Sequence, residues 1–344
     1  MQDNSNTTNN KRKKLLMLTT GGTIASAPTA GGLAPQGSQE ILSHMGINAG
    51  LMPFDLEVRE ILTLDSSNIQ PEEWKIIAAA IYDGFVGYDG IVVTHGTDTM
   101  AYTASMMTFM VQNPPVPVVF TGSQVPISVP LTDAVFNLIS AFTMALSGHP
   151  GIFVAFDRKI ILGCRAVKVR TTGFNAFESV NYPPVGVIDS SGLHVYEEYL
   201  PRSSGAPALN TDLDTEVFLL KLTPGTNPQI IDMLIENGAR GIVIEAFGAG
   251  GLQFIRRDFT AKLQHAADAG VPVVVCSQCL YERSDFSVYE VGQKALGSGV
   301  IQGSDMTSEA AVTKLMWALG NCAGRDEVRA LFGRNLAGEI EISQ

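Results

Sequence analysis

The chain has 344 residues, 45% of them hydrophobic and 17% charged, which suits a well-buried globular protein. At about 150 residues per domain, two domains are expected. Its net charge of -11 and pI near 4.9 argue against a nucleic-acid surface, which is normally basic. No apolar run approaches the roughly 18 residues of a membrane span, so no membrane association and a cytoplasmic location are expected.

Met1 to Asn10 is polar and Asn-rich, and residues 1–13 read as a disordered tail. The basic run Lys11-Arg12-Lys13-Lys14 reads as a solvated flank of the first strand, because the chain is otherwise acidic. Apolar, strand-like runs follow at 14–19, 56–64, 90–94, 116–121 and 151–156. Between them lie helix-like runs at Pro71 to Phe85, Asp98 to Val111 and Leu131 to Leu146. Pro71-Glu72-Glu73 starts a helix well, with proline early and acid in the first turn. The strands are continuous apolar runs, the mark of a parallel sheet covered on both faces. The alternation predicts an α/β protein with a larger, mostly parallel, doubly wound N-terminal domain over 14–200. Residues 201–212, beginning Pro201-Arg202-Ser203-Ser204-Gly205-Ala206-Pro207, read as a linker. A smaller C-terminal α/β domain is expected over 213–344. Its strands fall near 216–222, 240–245 and 271–275, its helices near 227–237, 255–269 and 307–319.

Four cysteines, Cys164, Cys276, Cys279 and Cys322, do not suggest a disulfide framework. Cys276-Ser277-Gln278-Cys279 has no second such pair and no nearby histidines, so zinc is not expected. Neither a Gly-x-Gly-x-x-Gly after the first strand nor a P-loop is present, and no cofactor is implied.

Two short runs carry most of the chemistry: Thr20-Gly21-Gly22-Thr23-Ile24 and Thr94-His95-Gly96-Thr97-Asp98-Thr99. Each follows a strand-like segment, and in open α/β sheets ligands bind at the carboxyl ends of strands. Gly21-Gly22 lets the backbone approach a ligand closely before Thr23. Asp98 stands at an expected helix N-cap, yet a carboxylate there also suits a substrate ammonium. His95 beside Gly96 reads more readily as a packing residue than as a catalyst. Lys168, in the apolar stretch Ala166-Val167-Lys168-Val169, would be costly to bury without a partner such as Asp98. A desolvated lysine can also accept a proton from a threonine hydroxyl. The alternative is a lysine on the solvent face of a strand.

At these residues the chain resembles the bacterial-type L-asparaginase family, and its cytoplasmic type I branch in particular. Thr20-Gly21-Gly22-Thr23-Ile24-Ala25 resembles the first signature and Gly90-Ile91-Val92-Val93-Thr94-His95-Gly96-Thr97-Asp98-Thr99-Met100 the second. Thr121-Gly122-Ser123-Gln124-Val125-Pro126 and Gly303-Ser304-Asp305-Met306-Thr307-Ser308-Glu309-Ala310 match type I patterns. The resemblance implies hydrolysis of L-asparagine to aspartate and ammonia through a β-acyl-enzyme. It implies Thr23 as nucleophile, Thr97 as second essential threonine, and Lys168 and Asp98 as its partners. Gly22, Asp65, Ser66, Gly96, Gly122 and Ser123, with Thr97 and Asp98, would bind the substrate. No metal is implied, and the expected assembly is a homodimer or a dimer of dimers.

The chain departs from the family pattern in two places. The loop after Thr23, read as a mobile lid over Ala25 to Gly37, carries Leu33 where many relatives carry a tyrosine. Tyr289 is the candidate replacement, reaching across a subunit contact, with an ordinary packing role as the alternative. Glu245 and Val167 stand where some type I enzymes have effector-site arginine and threonine, although Cys279 is retained. An anionic Glu cannot pair with a ligand carboxylate as Arg does, so asparagine activation of that form is expected to be absent or altered. Two other functions share the motifs. A non-catalytic amino-acid sensor would need Asp98 and Ser66 but not both threonines and Lys168. An ammonia-supplying component of a tRNA-dependent amidotransferase would be expected to carry an extra N-terminal domain, whereas about a dozen residues precede the first strand.

Overall fold

A computed structural model of the chain describes residues 12–29, 32–35, 41, 52–202, 205–286 and 290–341. The first half runs β1 (Lys14–Gly21), β2 (Ser26–Thr29), β3 (Gly32–Pro35), β4 (Asp55–Leu64), α1 (Pro71–Asp83), β5 (Gly90–Thr94) and α2 (Met100–Met110). It continues through β6 (Val111–Gln112), β7 (Pro117–Thr121), α3 (Ala134–Ala145), β8 (Gly151–Phe156) and β9 (Lys159–Leu162). Next come β10 (Ala166–Lys168), β11 (Phe177–Ser179), β12 (Gly186–Asp189), β13 (Gly192–Val195) and β14 (Ala208–Leu209). The second half holds β15 (Val217–Lys221), α4 (Gln229–Glu236), β16 (Gly241–Ala246), α5 (Thr260–Asp268) and β17 (Val273–Ser277). It closes with α6 (Glu290–Gly297), β18 (Ile301–Gln302), α7 (Ser308–Asn321) and α8 (Arg325–Phe332).

The large sheet has the order β13-β12-β9-β8-β7-β5-β1-β4. Strands β8, β7, β5, β1 and β4 are parallel, and the β9, β12 and β13 edge is antiparallel. Successive side chains of β1 point to opposite faces, so one apolar run feeds two cores. Leu16 and Leu18 join α1 and α2 on one face, while Leu15 and Met17 join α3 on the other. Burying each of these side chains stabilises the fold by about 1.5–3 kcal/mol. β4, at the sheet edge, is only half-buried. Helix α1 starts as its sequence requires: Pro71 opens it, and the Glu73 side chain accepts the Gln70 N–H at 2.9 Å.

Helix α2 is buried on nearly every side, because the sheet covers one face and α7 of the second half covers another. Phe109 stacks on Trp317 across that contact, ring centroids 6.3 Å apart. The smaller parallel sheet, β15-β16-β17-β18, is also covered on both faces. Ile231 and Leu263 of α4 and α5 pack on one side, Leu315 and Phe332 of α7 and α8 on the other. The structure is thus the α/β architecture expected, with a large mostly parallel sheet and a separate smaller one.

Several stretches read as irregular carry structure. Within the stretch read as a lid, Ser26–Thr29 and Gly32–Pro35 pair as antiparallel strands, Ala27 with Ala34 and Pro28 with Leu33. Within 201–212, Ala208 and Leu209 pair with Gln112 and Val111, tying that segment to the first half. Most of the N-terminal tail lies outside the described residues. The end of the basic cluster is engaged: Arg12 Nε meets Asp55 at 3.2 Å and Lys13 Nζ donates to the Leu146 carbonyl at 2.6 Å.

Candidate active site

The strand order creates the crevice. From β1 the chain goes to β4 on one side, then returns to place β5 on the other. Such a reversal opens a cleft at the carboxyl ends of the two diverging strands. Thr23 follows β1, Asp65-Ser66 follow β4, residues 95–98 follow β5, and Gly122-Ser123 follow β7. These four strands are neighbours, so the loops holding Thr23, Asp65-Ser66, Thr97-Asp98 and Gly122-Ser123 converge from one sheet edge.

Glycines permit the close packing there. Gly22 has φ 79°, and a Cβ on it would lie 2.4 Å from the Gly96 nitrogen. A Cβ on Gly96 would fall 2.6 Å from Ser66 Oγ. Gly22 thus lies against the Gly96 backbone and Gly96 against the Ser66 side chain, closer than any larger residue allows. Thr23 opens a single 3-10 turn after Gly22, half-buried.

Lys168 reaches the crevice from the short β10–β11 hairpin. Its Nζ donates to Thr97 Oγ1 at 2.7 Å and meets Asp98 Oδ1 at 2.6 Å. Lys168 is therefore not a solvent-face lysine: its side chain is 17% exposed, against 64% for Asp98. Asp98 does not cap α2, which begins two residues later behind Thr99. Its carboxylate goes to Lys168 instead, and its N–H donates to Ser66 Oγ at 3.3 Å. Ser66 uses its oxygen as acceptor there, which leaves its proton for another acceptor. Asp65 caps the turn behind it, accepting the Ser67 hydroxyl at 2.6 Å and N–H at 2.9 Å. Those bonds hold its carboxyl below the usual aspartate range.

The structure adds residues that sequence reasoning did not assign. The Thr97 hydroxyl donates to Gln124 Oε1 at 3.2 Å, and Gln124 Nε2 donates to the Gly173 carbonyl at 3.3 Å. Asp133 accepts the Gln124 and Val125 N–H groups at 3.0 and 3.1 Å, and Asn137 Nδ2 donates to the Gly122 carbonyl at 3.0 Å. Burial pushes the Asp133 carboxyl up. Gln124 sits two residues past Gly122 in a motif already singled out, which was the available signal. Tyr289 lies outside the described residues.

His95 is buried behind the crevice. Fully buried, it contacts the Gly96 carbonyl through Nδ1 at 2.7 Å and Thr103 through Nε2 at 3.0 Å. Burial lowers its pKa from 6.5 to about 4, so the ring is neutral at physiological pH. Between those two values the unfolded chain binds a proton that folded His95 refuses. Stability is therefore lost as pH falls through that window, by up to about 3 kcal/mol from this residue. Urea unfolding across pH 4–7 is expected to show a shallower loss in His95→Gln. Parallel curves for the two proteins would refute this assignment.

The residues weighed for regulation are also placed. Glu245, at the end of β16, pairs with Lys221 Nζ at 3.0 Å and accepts the Ser308 hydroxyl at 2.7 Å. Val167 is buried in β10. Cys279 is exposed, with its N–H donated to Ser277 Oγ at 2.9 Å, whereas Cys276 is buried in β17.

Residues 14–200 match the family model for the N-terminal domain of asparaginase, and residues 216–332 match the glutaminase/asparaginase C-terminal domain. The chain belongs to the asparaginase family. An L-asparaginase of Thermococcus kodakarensis is 46% identical over 322 residues, covering 93% of this chain and 97% of that protein. Its solved structure superposes with a TM-score of 0.91 over 96% of this chain and all of the other. L-asparaginase I of Vibrio cholerae superposes with a TM-score of 0.86 at 30% identity, covering 96% of this chain and 99% of that one. A glutamyl-tRNA(Gln) amidotransferase component of Methanosarcina barkeri is 35% identical over 296 residues, covering 83% of this chain and 69% of that protein. The crevice at the β1/β5 reversal is thus seen in an asparaginase-family fold that matches at nearly full length.

Proposed function

We propose that this chain hydrolyses the side-chain amide of L-asparagine to L-aspartate and ammonia. The observation that carries the reading is Lys168 Nζ joining Thr97 Oγ1 and Asp98 Oδ1 where the β1 and β5 loops meet. Thr23 is the nucleophile. Its oxygen adds to the amide carbon, ammonia leaves with the proton lost by Thr23, and a β-acyl ester remains. Thr97 then positions a water against that ester. The Lys168 ammonium donates to the Thr97 hydroxyl and holds it in place, and the water's proton passes to the Thr23 oxygen as aspartate departs. Asp98 holds that ammonium from its other side. Asp98, more exposed than its partner, receives the substrate ammonium, and the Ser66 hydroxyl donates to its α-carboxylate. Gly22, Gly96, Gly122 and Ser123 form the walls, with Asp65 fixing the Ser66 turn. The 46% identity to an L-asparaginase over most of both chains supports this reading over an amidotransferase component. A sensor would have no use for the Thr97–Lys168 contact.

The chain is proposed to work in the cytoplasm as a homodimer or dimer of dimers. Among the described residues, no helix is long and apolar enough to cross a membrane. Tyr289 is proposed to supply the hydroxyl that Leu33 lacks, and full activity in Tyr289→Phe would remove it from the site.

The first test is ammonia release from L-asparagine and from L-glutamine over a concentration series. Release from asparagine is expected, and release from neither amide would refute the reading. The rate curve is expected to be hyperbolic, because the Glu245 carboxylate is already held by Lys221 and Ser308 and repels a ligand carboxylate. A sigmoidal curve that Cys279→Ala made hyperbolic would overturn the regulatory part alone.

A further inference from the structure

A buried chain of side chains ends on the backbone of the site. Trp74 Nε1–H donates to Thr103 Oγ1 at 3.0 Å, Thr103 meets His95 Nε2 at 3.0 Å, and His95 Nδ1 meets the Gly96 carbonyl at 2.7 Å. His95 and Thr103 are fully buried, and Trp74 is 6% exposed.

Each link has one permitted direction. A carbonyl only accepts, so Nδ1 carries the ring proton. The neutral ring then presents Nε2 as an acceptor, and Thr103 must donate to it. The Thr103 oxygen is left to accept from the indole, which only donates. The low pKa of His95 keeps this pattern intact across the physiological range.

The consequence appears one bond further on. The Gly96–Thr97 peptide is trans, so its N–H points opposite to the anchored carbonyl. Among the described residues that Thr97 N–H meets no acceptor. It belongs to the residue whose hydroxyl Lys168 holds, beside the Gly22–Gly96 contact.

We propose that His95 and Thr103 are positioning residues: through the Gly96 carbonyl they fix the Gly96–Thr97 peptide plane and aim the Thr97 N–H at the substrate amide oxygen. That N–H then stabilises the oxyanion formed when Thr23 adds to the amide carbon. The inference rests on the asparaginase reading of the crevice.

The experiment compares Thr103→Val, which keeps the shape, with Thr103→Ser, which keeps the hydroxyl. Losing one oxyanion donor outright lowers kcat by about 10²–10³, so misaiming it is expected to lower kcat roughly tenfold to a hundredfold. KM for asparagine should change far less. Thr103→Ser should recover most of the rate. In ¹⁵N spectra of the histidine rings, wild-type His95 should show a protonated Nδ1 and a bare Nε2 from pH 5 to 8. The Nε2 resonance should move downfield in Thr103→Val as it loses its donor. A Thr103→Val enzyme with wild-type kcat, a Thr103→Ser enzyme no better than Thr103→Val, or an Nε2–H tautomer in the wild type would each overturn the proposal. If Thr103→Val does not fold, Trp74→Phe tests the chain one link further out, and an unchanged kcat there overturns it as well. A wild type that releases no ammonia is a separate failure, since it removes the asparaginase reading itself.

Discussion

Thr23→Ala is expected to release ammonia from L-asparagine at least about 10⁴-fold more slowly than the wild type, with its folding intact. The substitution removes one hydroxyl and one methyl from a half-buried turn, so the melting temperature should move little. No hydrogen bond among the described residues depends on the Thr23 hydroxyl, in contrast to that of Thr97. That contrast separates the two threonines experimentally. Thr97→Val takes away the Lys168 acceptor and the group that positions water, but leaves the nucleophile. Incubated with asparagine, Thr97→Val should therefore accumulate an aspartyl ester on the peptide that carries Thr23, visible by mass spectrometry. Thr23→Ala should show no adduct anywhere. An adduct on Thr97 in the Thr23→Ala enzyme would exchange the two roles, and full activity in Thr23→Ala would end the nucleophile assignment.

Much of this site was legible in sequence because it lies at strand ends. Continuous apolar runs locate β1, β5, β7 and β8 to within a residue or two of where they form. A parallel sheet forces the residues after those strands to one edge, so Thr23, Thr97 and Gly122 meet by topology. Lys168 was harder, since it stands on a three-residue strand outside the large sheet and comes in from the side. Periodicity carries no signal for so short an element. Asp98 shows the limit of local rules: an Asp before a helical run reads as a cap, yet its carboxylate belongs to a lysine 70 residues away. The pairing of Ser26–Thr29 with Gly32–Pro35 was missed for the opposite reason. Its small and turn-forming residues look like a loop, and pairing alone makes them a strand pair. Gln124 and the Trp74–Thr103–His95 chain are tertiary contacts between separate elements, which no single-segment pattern encodes.

A buried ion pair between the two halves is expected to have a large effect on stability. Arg165 is fully buried just before β10, and its Nη2 meets Asp305 Oδ2 at 2.8 Å. Nη1 donates to the Asp305 carbonyl at 3.0 Å and Nε to the Gly338 carbonyl at 2.6 Å. The Asp305 carboxylate also accepts the Glu341 N–H at 3.0 Å. Asp305→Ala strands the guanidinium in a dry environment and frees that N–H. Removing one partner of a buried pair costs about 3–5 kcal/mol, which for a chain of this size corresponds to a melting temperature lowered by roughly 4–7 °C. Replacing both partners, as in Arg165→Met with Asp305→Leu, should recover a good part of the loss, because the lone charge rather than the missing attraction is the main cost. Calorimetry of the two proteins decides this, and a double variant less stable than Asp305→Ala would show that the attraction dominates. The pair also bears on catalysis. Arg165 stands three residues before Lys168 on the same short segment, so the contact that joins the halves also sets where the ammonium sits. Asp305→Ala should therefore lose kcat well below its own melting temperature, as β10 shifts and Lys168 moves off Thr97. Unfolding alone would leave kcat per folded molecule unchanged.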